Sequence, residues 1–179
     1  MRTRRKQSTR KLALSSVLAA LGVLMLTLGS FVEVLDLSMA ALASLMVVFA
    51  VIEIQGKYPY LVFAVTAVLS LLLLPNKTPA LLYALFAGFY PIAKAGLESR
   101  VSPVPCWVLK VVIFNVCVAA AAFVAVKLLL PNAGLILAYW YWLPIVGTPI
   151  FVLYDVALTR LISTYLQRWR VRLRFWNFE

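Results

Sequence analysis

The sequence predicts an all-α fold, a polytopic transmembrane bundle of six spans with both termini in the cytoplasm. Three observations predict it. The apolar content exceeds what a soluble core can hide, the apolar runs are separated by turn chemistry at membrane-length intervals, and the basic residues gather at the two ends. A soluble domain is roughly 45–50% apolar, whereas 64% of these 179 residues are hydrophobic and the mean hydropathy is +0.98. The excess would cover the surface of a soluble domain, but it suits a lipid environment.

A hydrocarbon core about 30 Å thick takes about 20 apolar helical residues. The first predicted span runs from Leu12 to Phe31, too long for the apolar stretch of a secretory signal, and no small-residue cleavage site follows. The others run from Leu37 to Ile54, Pro59 to Leu74, Pro79 to Leu97, Pro105 to Leu130 and Ala133 to Leu161. Glu33 and Asp36 mark the first break, and Ser38 is placed to cap the second helix. Gln55-Gly56-Lys57 precedes Pro59, and Pro75-Asn76-Lys77-Thr78 precedes Pro79. Pro103 and Pro105 end a third break, and Pro131-Asn132-Ala133-Gly134 forms a fourth. Proline lacks the amide that a continuing helix needs. In the last span, Pro144, Gly147 and Pro149 predict an interruption.

Orientation follows from charge. The net charge is +11, and ten of the seventeen basic residues lie at the ends. Arg2, Arg4, Arg5, Lys6, Arg10 and Lys11 form the first group, and Arg168, Arg170, Arg172 and Arg174 the second. Cytoplasmic segments carry the excess of Lys and Arg, so an even span count puts both ends inside the plasma membrane. The organisation expected is a basic cytoplasmic segment over 1–11, a transmembrane domain over 12–165 and a basic tail over 166–179. Charge bracketing a long apolar stretch points to anionic lipid head groups and not to nucleic acid. Leu72-Leu73-Leu74-Pro75-Asn76 recurs as Leu128-Leu129-Leu130-Pro131-Asn132, either a trace of duplication or a coincidence among leucine-rich segments.

Ionisable groups at membrane depth are costly and mark candidate sites. Lys110 lies a few residues into the fifth span and reads first as a side chain that snorkels to the interface. Lys94 and Glu98 are four apart and share a helix face. Asp155 is too short to snorkel and is expected to meet Lys94, Lys110 or Arg160, either to fix packing or to serve coupling to a partner. Asn115 is placed to hydrogen-bond between helices. The pairs Ser15/Ala19 and Ser16/Ala20 are small residues at helical spacing, which let a neighbour approach closely.

Glu33, Asp36 and Asn76 fall in the outer turns. Tyr139, Trp140, Tyr141 and Trp142 enter the last span below its outer end. Two readings of that aromatic run stand: an interfacial belt, or the wall of an outer small-molecule site together with those polar residues. The chain has no histidine, and its two cysteines, Cys106 and Cys117, read as small apolar fillers. No cofactor, no metal and no enzymatic machinery is expected, since the sequence has no phosphate-binding loop and no nucleophile motif.

The basic start, the opening Lys11-Leu12-Ala13-Leu14-Ser15-Ser16-Val17-Leu18-Ala19-Ala20-Leu21, the six predicted spans and the basic end resemble one group in particular. These are the substrate-binding S components of energy-coupling-factor vitamin transporters. The resemblance implies that Ser15, Ser16, Ala19 and Ala20 contact a membrane coupling subunit that works with ATPases. It also implies a vitamin-like small-molecule ligand bound near the outer face, at Glu33, Asp36, Asn76, Trp140, Tyr141 and Trp142. A serine-and-alanine quartet stands where that family usually has an alanine pair. The end Leu153-Tyr154-Asp155-Val156-Ala157-Leu158-Thr159-Arg160 is similar to MreD-type cell-shape proteins. That likeness implies the alternative function, a non-catalytic membrane scaffold or assembly protein.

Overall fold

The computed structural model describes residues 2–99, 102–124 and 142–169, and the described residues are helical throughout apart from turns. The helices are α1 (Arg2–Phe31), α2 (Asp36–Phe49), α3 (Tyr58–Leu73), α4 (Thr78–Leu82), α5 (Tyr90–Glu98), α6 (Pro103–Val124) and α7 (Trp142–Thr164). A π turn, Ala50–Ile54, extends α2, and another, Tyr83–Ala87, follows α4. Among the described residues, five helical stretches are long and apolar enough to cross a membrane: Gln7–Phe31, Asp36–Ile54, Thr78–Glu98, Pro105–Val124 and Ile145–Gln167. Tyr58–Leu73 is equally apolar but has 16 residues, about 24 Å of helix at 1.5 Å per residue. The chain forms two compact units, one up to Ala121 and one from Ala122 onward.

The first unit is built around a seam of small residues. On α1, Ser15, Ala19, Gly22, Leu26 and Gly29 are buried at a 4-3-4-3 spacing that keeps one narrow face inward, and Ser30 beside Gly29 is buried as well. On α2 and its π turn, Ala40, Ala43, Val47, Ala50 and Ile54 repeat the same rhythm. Between helices in lipid, close van der Waals approach replaces the hydrophobic drive, so small side chains set the packing. A Cβ on Gly22 would stand 3.0 Å from Thr66 Cγ2, and one on Gly29 would stand 2.8 Å from Met39 Cβ. The Thr66 hydroxyl donates to the Ala19 carbonyl at 3.4 Å, joining α3 to α1.

The turn between α1 and α2 differs from the sequence expectation. Ser38 does not cap α2, because it lies exposed inside the helix. A 3-10 turn, Glu33–Leu35, runs directly into α2, and Leu35 at the boundary is still in the helical region. The Leu35 amide donates to Val32 O at 2.8 Å. A chain that never leaves helical geometry needs no side-chain cap at its first amides.

Two further expectations are corrected. No interruption occurs at Pro144–Pro149; α7 is continuous and holds Pro149 inside it. One missing amide costs a single bond, which neighbouring turns of an apolar helix absorb. The Asn115 amide does not reach another helix, since it donates to Val111 O one turn back at 2.9 Å. A mid-helix side chain of that length finds its own helix's carbonyl first.

Candidate functional site

At one end of the first unit, two predicted binding residues converge. Asp36, the first residue of α2, is buried. Asn76 sits in the turn between α3 and α4, and its Nδ2 donates to Asp36 Oδ2 at 3.3 Å. The other side of the Asn76 amide, Oδ1, accepts the Thr78 backbone amide at 3.0 Å. Pro75 explains why the turn falls here. It pushes Leu74 into an extended conformation, with φ −74 and ψ 135, and stops α3. Lys77 then folds back, and its Nζ donates to Leu71 O at 2.8 Å and Leu74 O at 2.6 Å. A cation on the last carbonyls of a helix satisfies its orphan acceptors and its dipole together.

Of the remaining predicted binding residues, Glu33 lies in the 3-10 turn three residues before Asp36. Trp140 and Tyr141 lie outside the described residues, and Trp142 is the first described residue of α7. The second copy of the Leu-Leu-Leu-Pro-Asn echo also lies outside them.

The small-residue quartet of α1 divides. Ser15 and Ala19 are buried in the seam, whereas Ser16 and Ala20 are exposed on the opposite side. Both serine hydroxyls bond within α1, Ser15 to Lys11 O and Ser16 to Ala13 O, each at 2.8 Å. Satisfied this way, they pack as small, nearly apolar groups.

The opposite end of the first unit holds an ionic cluster. Lys94 on α5 and Lys110 on α6 are both buried, at 2% and 4% exposure. Both point at one oxygen, Glu98 Oε1, at 3.4 Å from Lys94 Nζ and 2.6 Å from Lys110 Nζ. Burying an ammonium costs several kcal/mol unless it is paired and hydrogen-bonded, and the shared carboxylate supplies part of that compensation to both lysines. The predicted Lys94–Glu98 pairing is present. Lys110 meets Glu98, twelve residues earlier, and the Trp107 ring lies 5.4 Å from the same Nζ. Glu98 is half-exposed.

Aromatic rings lead away from this cluster. Phe86 packs on Tyr90 and edge-on against Phe114 of α6, both at 5.3 Å between centroids. Phe63 of α3 touches Tyr83 and Phe89 at 6.1 and 6.4 Å. Gly88 makes this close packing possible, because a Cβ there would stand 2.7 Å from both Phe63 and Tyr83.

In the second unit, Asp155 is buried on α7, and its backbone carbonyl accepts the Thr159 hydroxyl at 2.7 Å. Arg160 is exposed, five residues further along the helix. Cys106 is buried and Cys117 half-buried, both as free thiols.

Two features escaped sequence reasoning. One is Glu98 as a common counter-ion of two lysines, signalled only by a lone acid among the basic residues Lys94, Arg100 and Lys110. The other is Lys77 as a helix cap, signalled by its position just after a proline stop. Comparison with known proteins gave no match: no protein family, no curated protein and no solved structure matches this chain.

Proposed function

We propose that this protein crosses the plasma membrane six times with both termini cytoplasmic and serves as the solute-binding subunit of an energy-coupled importer. In this reading the Asp36 end of the first unit faces outward and the Glu98 end faces the cytoplasm. The charge distribution supports that orientation, since the basic N-terminus and Lys57 then lie inside. The observation that carries the binding role is the meeting of buried Asp36 and half-buried Asn76, forty residues apart in sequence, as a polar pair at one end of an apolar bundle. Few, well-placed polar groups in apolar surroundings are the make-up of small-molecule sites. The proposed site adds Glu33, three residues before Asp36, to that pair. The proposed contact for a membrane coupling subunit is the outward half of the α1 quartet, Ser16 and Ala20. Energy would come from ATPases bound to that partner, because the sequence carries no nucleotide-binding loop.

Native mass spectrometry of the gently purified protein tests the proposal. A retained metabolite, lost in Asn76→Ala and in Asp36→Ala, or a co-purifying ATPase complex, is the expected outcome. Ligand-free protein that co-purifies with cell-envelope synthesis proteins would overturn it in favour of a scaffold.

A further inference from the structure

We propose that α5 is a hinged gate, bent at residues 87–91 and latched to α6 by Glu98. The inference goes beyond solute binding and does not depend on it.

The hinge follows from the backbone. The stretch Thr78–Glu98 is long enough to be one span, yet it is two short helices. The Gly88 amide reaches back five residues to Tyr83 O at 2.8 Å, in π fashion. Pro91 has no amide to offer Ala87 O. The Ile92 amide turns to Phe89 O, three residues back, at 3.1 Å, and regular α-helical bonding resumes with Ala93 donating to the same oxygen at 3.2 Å. Continuous helical bonding therefore stops between the two halves, and kinks of this origin are where a helix bends.

The latch follows from the side chains. On α6, Cys106, Lys110 and Phe114 recur every four residues and are all buried, so they form one inward face. Phe114 meets Phe86, on the α4 side of the hinge. Lys110 meets Glu98, at the far end of α5. The upper contact holds α6 to the fixed half of the span, and the lower one holds it to the segment that swings. Lys94 makes release feasible. It lies one turn from Glu98 on α5 itself, so the carboxylate keeps a cation when it leaves Lys110. Cys106 lies one turn from Lys110 on the same buried face, so its accessibility serves as the readout of opening.

The test is the rate at which a maleimide labels Cys106 in the purified full-length protein, with Cys117→Ser removing the second thiol. Glu98→Gln keeps the shape and removes the shared charge. It should speed labelling about tenfold or more, as expected when a local opening equilibrium gains about 1.4 kcal/mol. Adding Pro91→Ala returns an amide to Ala87 O, stiffens the span and should slow labelling again. Hydrogen exchange in Glu98→Gln should rise over Tyr90–Glu98 and stay unchanged over Tyr58–Leu73. An unchanged rate in Glu98→Gln overturns the latch. A double variant as fast as Glu98→Gln overturns the hinge. Exchange that rises equally in α3 and α5 overturns both, because the protein would then simply be less stable.

Discussion

Gly29 has no space for a side chain, since its Cβ would sit 2.8 Å from Met39 Cβ. Gly29→Ala should therefore lower stability by about 1–3 kcal/mol, the usual cost of overpacking a close contact. Thermal unfolding in detergent would show it, and a variant as stable as the parent would mean that α1 and α2 separate easily. Gln55 presents the reverse case. Its φ of 58 with ψ near 179 is a conformation that glycine adopts and L side chains avoid. Gln55→Gly should raise stability by about 1 kcal/mol, because the strain it relieves exceeds the added chain entropy. Destabilisation in the same melt would show that the Gln55 side chain has a binding role that offsets its strain. Neither position stood out in the sequence. A glycine in a helix and a glutamine before Gly56 look ordinary until their neighbours and dihedral angles are known.

Among the described apolar stretches, α3, with 16 residues, falls short of the five of spanning length, and its ending is fixed by two side chains. Pro75 stops it, and Lys77 takes up two of its last carbonyls. Lys77→Met keeps the chain length and removes both bonds, so the last turn of α3 should fray at a cost of about 1 kcal/mol. Hydrogen exchange of the amides from Ser70 to Leu74 should quicken while the start of α3 stays protected; equal protection throughout would show the cap to be dispensable. The helices were legible in the sequence because apolar length and proline stops are properties of a continuous segment. Predicted ends at Phe31 and Ile54 coincide with the observed ones. The failures share a different cause. Ser38 as a cap, Asn115 as an interhelical donor and a break at Pro144–Pro149 each required knowing which backbone groups were still unsatisfied. That depends on how neighbouring turns fold, and no residue type announces it. The candidate site was legible to the same extent. Asp36 and Asn76 could be named as polar residues in turns, and their meeting depends on how α2 and α3 pair.

For the molecule as a whole, the proposed account is one of two ends separated by an apolar bundle. Asp36 and Asn76 lie at one end, and Lys94, Glu98 and Lys110 at the other. Successive spans of the first unit run in alternating directions, so turns that follow in sequence fall at opposite ends. The proposal that one end faces the cytoplasm rests on charge, which lipid and the insertion machinery read. The direct test is single-cysteine labelling with a membrane-impermeant maleimide in intact cells. The background would be Cys106→Ser and Cys117→Ser, with one cysteine introduced at a time as Ser8→Cys, Lys57→Cys, Thr78→Cys or Asn177→Cys. The account predicts that only Thr78→Cys reacts from outside, and that the other three react after permeabilisation. External reaction at Lys57→Cys, or labelling of Ser8→Cys and Asn177→Cys from opposite sides, would contradict it.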